Sequence, residues 1–236
     1  MTNPKIPLVL VPGLLCDDAL WTHQTRHLTD VANMTVADLR QPDNMTAMAQ
    51  SVLEQAPEGR FALAGLSMGG YVAHEIMRLA PQRVERLALM DTSAHADSPE
   101  QTARRRGLLE LAAKGKFKGI TPSLLPLYLH ESRLNDTLLT DEVTAMAERI
   151  GKDGFLRQQK AIMNRVDSRP FLERYACPTT IIVGREDQAT PLAASEEMAG
   201  LIPSAKLIAI EECGHLSTME RPQAATALLR YWLQDG

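Results

Sequence analysis

Short apolar runs alternate with segments of helical spacing along most of the 236-residue chain. The runs have the length of buried strands, and the segments between them place apolar residues at the three-to-four-residue interval of an amphipathic helix. Alternation of this kind is typical of parallel strands joined by right-handed crossover helices. The sequence therefore predicts an α/β fold: a doubly wound, mostly parallel sheet of about six strands with helices on both faces.

The alternation breaks once, between about residues 98 and 176, where helical stretches follow one another without a strand. Strands are predicted at residues 7–11, 34–39, 61–66, 84–90, 179–183 and 206–210, and helices at 18–28, 45–55, 68–79, 191–201 and 222–233. Sheets of this class bind ligands at the carboxyl ends of their strands. We therefore expect a core of residues 1–97 and 177–236, with residues 98–176 inserted as an all-helical cap above the site.

Composition and charge exclude several classes of function. A formal net charge of -4 does not provide the basic face that nucleic acids require. No apolar run approaches the roughly 20 residues of a membrane helix, and the apolar start of the chain is interrupted by proline and glycine, as in a core strand rather than an export signal. The three cysteines have no metal-ligand spacing, and we expect no metal and no cofactor. We expect their thiols to be reduced, in a cytoplasmic protein. Cys16 and Cys213 lie beside the motifs described below, where each could line a pocket or act as a small apolar residue.

The stretch Gly65-Leu66-Ser67-Met68-Gly69 fits the pattern G-x-S-x-G, with a predicted strand before it and a predicted helix after it. A serine on such a turn projects above the sheet, and the glycines let the backbone pass without a Cβ clash. The following helix N-terminus offers free N–H groups to an oxyanion. Ser67 is therefore a candidate nucleophile, and the alternative is a small residue at a tight turn.

A serine nucleophile requires a histidine base and a carboxylate that fixes the tautomer of that base. Of six histidines, His215 follows the last predicted strand and is the leading base, and His95, after another strand end, is its rival. His74 lies two turns into the helix after Ser67 and is expected to pack or to face solvent. The remaining histidines are interpreted as helix-surface residues: His23, His27 and His130.

Two carboxylates compete for the third position. Asp187 follows the strand predicted at 179–183 and is favoured, with its neighbour Glu186 pointing elsewhere. Asp91, at the end of the strand predicted at 84–90, is the rival. The resulting order of serine, acid and histidine along the chain is the order expected for a nucleophile-elbow hydrolase.

Together these motifs make the chain resemble the α/β-hydrolase superfamily, in its branch of small serine esterases and carbon–carbon bond hydrolases. The resemblance covers nearly the whole chain except the cap. It rests on four stretches in order: PGLLCDDALW (12–21), GLSMGG (65–70), GREDQATP (184–191) and CGHLSTMERP (213–222). It implies an oxyanion hole from the backbone N–H groups of Leu14 and Met68. Where many relatives have His-Gly, this chain has Pro12-Gly13.

The activity that the resemblance implies is hydrolysis of a small or medium acyl ester through an acyl-enzyme intermediate on Ser67. We expect an apolar substrate pocket, lined from the core and from the cap. The predicted lining residues are Leu14, Leu15, Met68, Leu216, Leu124, Leu125, Leu127 and Tyr128. For the cap leucines the alternative is a helical core stripe.

Relatives with the same motifs also cleave carbon–carbon bonds in vinylogous diketones, or esters of acyl-carrier proteins. Residues 101–118 bear on the second possibility, because they contain one acidic side chain, Glu110, and six basic ones: Arg104, Arg105, Arg106, Lys114, Lys116 and Lys118. This basic cluster is either a solvated helix face or a docking patch for an acidic carrier. A non-enzymatic ligand receptor is the alternative from a different class, because a fold does not dictate function.

Overall fold

The computed structural model describes residues 4–203 and 205–234, and these residues form one six-stranded sheet. The strands are β1 (Ile6–Val11), β2 (Ala32–Val36), β3 (Phe61–Leu66), β4 (Val84–Met90), β5 (Thr179–Gly184) and β6 (Lys206–Ile210). They lie in the order β2-β1-β3-β4-β5-β6, and every neighbouring pair is parallel. The predicted α/β class and parallel sheet are confirmed.

Helices connect the strands and surround the sheet. Their bounds are α1 (Thr22–His27), α2 (Met45–Gln55), α3 (Met68–Leu79), α4 (Pro99–Leu111), α5 (Leu125–Tyr128), α6 (Thr137–Met163), α7 (Leu192–Leu201), α8 (Ser217–Glu220) and α9 (Pro222–Gln234). Between β4 and β5 the described chain contains helices and turns but no strand. The division into a core and a cap at residues 98–176 stays a prediction, and we call those residues the cap segment.

The two faces of the sheet pack into two apolar clusters. Along β1, Leu8 and Leu10 belong to one cluster, and Val9 and Val11 belong to the other, as expected when successive side chains point to opposite faces. The first cluster continues into helices α6 and α9, and the second into helices α2, α3 and α7. Burial on both faces explains why the sequences of the central strands are continuous apolar runs.

Strand β2 begins and ends earlier than predicted, at Ala32–Val36 rather than at residues 34–39. Its register with β1 runs from Ile6 opposite Ala32 to Leu10 opposite Val36. A last hydrogen bond joins the Ala37 N–H to the Leu10 carbonyl oxygen, after which the chain leaves the sheet. Leu39 extends the apolar run because it is buried by packing and not by strand pairing.

Long apolar helices are missing from the described part of the chain. None of the helices within residues 4–203 and 205–234 is both long enough and apolar enough to cross a membrane.

Candidate active site

Ser67 occupies a strained turn between strand β3 and helix α3. Its φ of 56° lies in the left-handed region, which costs a non-glycine residue on the order of 1–3 kcal/mol. Two glycines make the turn possible. A Cβ on Gly65 would lie 2.3 Å from the Gly69 carbonyl oxygen, and a Cβ on Gly69 would lie 2.1 Å from the Val11 carbonyl oxygen. The predicted glycine requirement is confirmed, and the turn holds Ser67 at the carboxyl end of the sheet.

Ser67, His215 and Asp187 form a continuous hydrogen-bonded chain. His215 Nε2 lies 2.8 Å from Ser67 Oγ, and His215 Nδ1 lies 2.8 Å from Asp187 Oδ2. Asp187 lies between β5 and α7, and His215 follows β6, so three strand ends bring the three side chains together. When Nδ1–H is donated to Asp187, Nε2 is free to accept the serine proton, which is the arrangement that a serine nucleophile needs.

Burial and charge act in opposite directions on the pKa values of His215 and Asp187. Burial lowers the pKa of His215, but the charge and hydrogen bond of Asp187 outweigh it, and the pKa is raised above its ordinary value. Burial likewise raises the pKa of Asp187, but the charge and hydrogen bond of His215 hold it below its ordinary value. Asp187 is therefore ionised at the pH at which His215 takes up a proton, and it stabilises the resulting imidazolium.

Asp91, the rival carboxylate, is not part of the hydrogen-bonded chain of Ser67, His215 and Asp187. The side chain is fully buried, and it accepts the Gly184 N–H at 2.8 Å and the Ser217 hydroxyl at 2.5 Å. Burial and the charge of Asp187 raise the pKa of Asp91 to about 8. Asp91 is therefore largely neutral at pH 7, whereas the carboxyl that contacts His215 is ionised.

The other histidines have partners or positions away from the serine. His95 lines the same cavity as Ser67, but its Nε2 contacts Glu197. His74 is buried with its Nδ1 2.8 Å from the Tyr175 hydroxyl, so it packs, as one of the two predicted options. The remaining histidines are half-buried or exposed, on helix α1 or in a short turn: His23, His27 and His130.

The two predicted oxyanion donors belong to the turn after β3 and to the loop after β1. The Met68 N–H is the first of helix α3, where an intrahelical acceptor does not exist, and Leu14 lines the cavity. The next residue, Leu15, has a φ of 59°, and its N–H donates to Gln158 Oε1 at 3.0 Å. Because Gln158 lies on helix α6, the cap segment holds the backbone of the loop that carries Leu14.

Two further side chains that sequence analysis did not assign hold the site in place. Thr190 donates its hydroxyl to Asp187 Oδ2 at 2.8 Å. Glu220 is fully buried and accepts the N–H groups of His130 at 2.7 Å and Leu216 at 3.2 Å, which fixes the loop after β6. Glu186 also supports this loop, by accepting the Cys213 N–H at 3.0 Å, and so points away from the serine as predicted.

A cavity of about 550 Å³ opens at Ser67. Four predicted lining residues border it: Leu14, Leu127, Tyr128 and Leu216. The Tyr128 ring lies 5.9 Å from the His215 ring, between their centroids. The other four predicted residues are not among those that border it: Leu15, Met68 and Leu125 are buried in the apolar clusters, and Leu124 is 39% exposed in a turn. For Leu125 the core-stripe alternative holds.

The three cysteines are free and buried. Only Cys16 among them borders the cavity, and burial raises the pKa of its thiol to about 12. Cys213, the other cysteine beside a motif, packs in the apolar cluster instead. Across residues 4–203 and 205–234, no three histidine, cysteine or acidic side chains are grouped as they would be around a metal ion.

The basic cluster of residues 101–118 divides into two parts. Arg104 and Arg105 line the cavity, whereas the other four side chains do not: Arg106, Lys114, Lys116 and Lys118. Arg105 is 13% exposed, and its Nε donates to Asp97 Oδ2 at 2.8 Å. Part of the cluster therefore borders the cavity, with Arg105 half-buried and Arg104 exposed. A docking patch on the remainder stays a prediction.

Comparison with known proteins agrees with the architecture. An esterase from Thermogutta terrifontis, solved with malate bound, is 31% identical, with a TM-score of 0.90 over 99% of this chain and 91% of that chain. The enol-lactonase from Burkholderia xenovorans LB400 is 22% identical and has the same fold, with a TM-score of 0.87 over 100% of this chain and 94% of that one.

Among curated sequences, the pimeloyl-[acyl-carrier protein] methyl ester esterase of Vibrio campbellii is 25% identical over 92% of this chain and 90% of its own length. The family model described as alpha/beta hydrolase fold matches residues 6–222. Because that match spans the sheet, the cap segment and all three members of the hydrogen-bonded chain, we conclude that the protein belongs to the α/β hydrolase fold family.

Proposed function

We propose that the protein is a serine hydrolase that cleaves carboxylic esters with small or medium acyl groups through an acyl-enzyme intermediate. The observation that carries the proposal is the hydrogen-bonded chain from Ser67 through His215 to Asp187, which opens into a cavity of about 550 Å³. Cavities of this size accept drug-sized or smaller ligands. The esterase from Thermogutta terrifontis and the methyl ester esterase of Vibrio campbellii are similar proteins whose names support an ester substrate.

In the first half of the reaction, Ser67 Oγ attacks the ester carbonyl carbon while His215 Nε2 takes the hydroxyl proton. The carbonyl oxygen becomes an oxyanion, which the N–H groups of Leu14 and Met68 stabilise. His215 then gives its proton to the leaving alkoxide oxygen as the ester C–O bond breaks. The products of this half are a free alcohol and an acyl group on Ser67.

In the second half, a water molecule replaces the alcohol. His215 takes a proton from water as the water oxygen attacks the acyl carbon, and it returns that proton to Ser67 Oγ as the acyl bond breaks. Asp187 stays ionised throughout and stabilises the imidazolium at each proton transfer. The free Ser67 hydroxyl and neutral His215 are regenerated, and the carboxylic acid leaves.

The test compares two serine substitutions. Ser67→Ala removes the attacking oxygen, and we expect turnover of short p-nitrophenyl esters to fall by about 10⁴-fold or more. Ser195→Ala is the matched control, because Ser195 is a fully buried serine outside the cavity whose Oγ has no hydrogen-bond partner among the described residues. Both variants should keep the far-UV circular dichroism spectrum of the wild type. Turnover that survives Ser67→Ala would contradict the proposal.

The alternatives differ from this proposal in substrate. Greater activity on a dienoic diketone acid than on simple esters would indicate carbon–carbon bond cleavage. A carrier-protein ester stays a prediction, and it requires the part of the basic cluster outside the cavity. A non-enzymatic receptor predicts that Ser67 does not react with any ester.

A further inference from the structure

Several arginines line the cavity into which Ser67 opens. Arg104, Arg105 and Arg165 border it, together with a single carboxylate of the same region, Asp97. The Asp97 side chain is 1% exposed and accepts from two of these arginines, with Arg105 Nε at 2.8 Å and Arg165 Nη1 at 2.5 Å. Three positive charges therefore face one negative charge, which leaves a cationic surplus.

Other nearby charges do not remove this surplus. Arg169 also lines the cavity, but it pairs with Asp167 at 2.5 Å and with Glu197 at 3.2 Å. The part of the cavity that holds Arg169 is thus neutralised by its own acids. Glu100 lies one turn before Arg104 on helix α4, but it does not line the cavity, and it accepts a hydrogen bond from Ser98 Oγ at 2.7 Å.

Arg104 is the arginine that carries the surplus. In the described chain it has no hydrogen bond and no ion pair, whereas every other arginine of the cavity has an acidic partner. Arg104 is exposed at the border of the cavity. A guanidinium there without a carboxylate partner is suited to a carboxylate from outside the protein, because its planar N–H pair matches the two carboxylate oxygens.

Tyr128 links the arginines to the reacting residues of the cavity. Burial raises the pKa of Tyr128, and the positive charges of Arg105 and Arg104 act in the opposite direction on the same phenol. The ring of Tyr128 lies 5.9 Å from that of His215. Tyr128 thus lies near both the arginines and His215, and all of them border the same cavity as Ser67.

We propose that the substrate is an ester with a free carboxylate on its acyl chain, and that Arg104 binds this carboxylate while Ser67 attacks the ester carbonyl. The inference rests on the proposed esterase function. It assigns Arg104 and Arg105 to substrate recognition instead of to a carrier-protein surface.

The test uses two esters that differ only in the terminal group of a six-carbon acyl chain, monomethyl adipate and methyl hexanoate. We expect wild-type kcat/KM to be about tenfold higher for monomethyl adipate, and this preference to shrink as salt screens the charges. Arg104→Gln should lower kcat/KM for monomethyl adipate about tenfold more than for methyl hexanoate, mainly through KM.

Arg106→Gln is the matched control, because Arg106 is an exposed arginine on the same helix that does not line the cavity. It should leave both substrates unchanged. Equal effects of Arg104→Gln on the two esters, or no effect on either, would overturn the inference.

Binding separates failure of this inference from failure of the esterase function. If the wild type hydrolyses neither ester, calorimetric titration with adipate still tests the carboxylate site. Binding to the wild type that is weakened at least several-fold by Arg104→Gln, but not by Arg106→Gln, supports the site. Absence of adipate binding, together with no preference between the esters, overturns it.

Discussion

The two walls of the cavity are built in different ways. The sheet wall consists of loops that leave the carboxyl ends of parallel strands: Leu14, Ser67, His215 and Leu216. The cap wall consists of side chains from the cap segment: Arg104, Arg105, Leu127, Tyr128 and Arg165. Buried hydrogen bonds and close glycine contacts fix the first wall, whereas helix α4, which supplies two arginines of the second, has no buried residue.

This difference separates two tasks. Catalytic groups must be held in a productive geometry to within a fraction of an ångström, and the sheet wall provides such constraint through short backbone connections. Recognition of a flexible acyl chain tolerates long side chains that adjust to it. We therefore expect substitutions in the sheet wall to act on kcat, and substitutions in the cap wall to act on KM and on the choice of ester.

The largest expected difference is in kcat, between substitutions of the two carboxyl groups that support the sheet wall, Asp187 and Asp91. Asp187→Asn removes the charge that stabilises the protonated histidine, and we expect kcat to fall by about 10⁴-fold. Asp91→Asn replaces a carboxyl that is largely neutral at pH 7 with a neutral amide, and kcat should fall less than about tenfold. Steady-state kinetics on one p-nitrophenyl ester gives both values. Similar losses in the two variants would contradict the assignment of Asp187.

The pH profile gives a second readout for this pair. His215 must be neutral to accept a proton, so kcat/KM falls about tenfold per pH unit below the pKa of His215. Because Asp187 raises that pKa, the acid limb of the wild type should lie above pH 6.5. In Asp187→Asn the limb should move to lower pH, since burial then dominates, whereas Asp91→Asn should move it little. A limb that stays in place in Asp187→Asn would show that Asp187 does not set the pKa.

A smaller effect should come from two neighbouring glutamines of helix α6 that support different walls. Gln158 accepts the Leu15 N–H at 3.0 Å and supports the loop of Leu14, whereas Gln159 accepts from Arg105 at 2.7 Å. Gln158→Met should lower kcat about tenfold with little change in KM, because a displaced oxyanion donor costs transition-state stabilisation. Gln159→Met should instead raise KM several-fold for esters that carry a carboxylate. The distinction between the walls fails if both variants change the same constant.

Much of the sheet wall could be predicted from sequence, because its residues lie next to strands. Ser67, Asp187 and His215 each follow an apolar run closely, and a parallel sheet brings the carboxyl ends of such runs to one edge. Order along the chain and strand position were therefore enough to make these three side chains the leading candidates. They favour Asp187 but do not exclude Asp91, since both follow strands, and the hydrogen bond to His215 separates the two.

The cap wall could not be predicted in the same way. Gln158 and Arg165 act on partners that lie 143 and 68 residues away in the chain, and helical spacing does not specify such partners. Leu15 and Leu124 were expected to line the pocket because they are apolar and close to it in sequence. A φ of 59° at Leu15 and the exposure of Leu124 are properties of turns that composition does not reveal. The sequence does point to Thr190 as a site residue, because Thr190 lies three residues after Asp187 in the stretch GREDQATP.

Covalent labelling tests the central claim most directly, because it locates the reacting atom without requiring the natural substrate. The protein is treated with a fluorophosphonate, digested, and mapped by peptide mass spectrometry. A nucleophile activated by His215 predicts one adduct on Ser67, which is absent when Ser67→Ala is treated in the same way. An unlabelled wild-type protein, or an adduct on a different residue, would contradict the account.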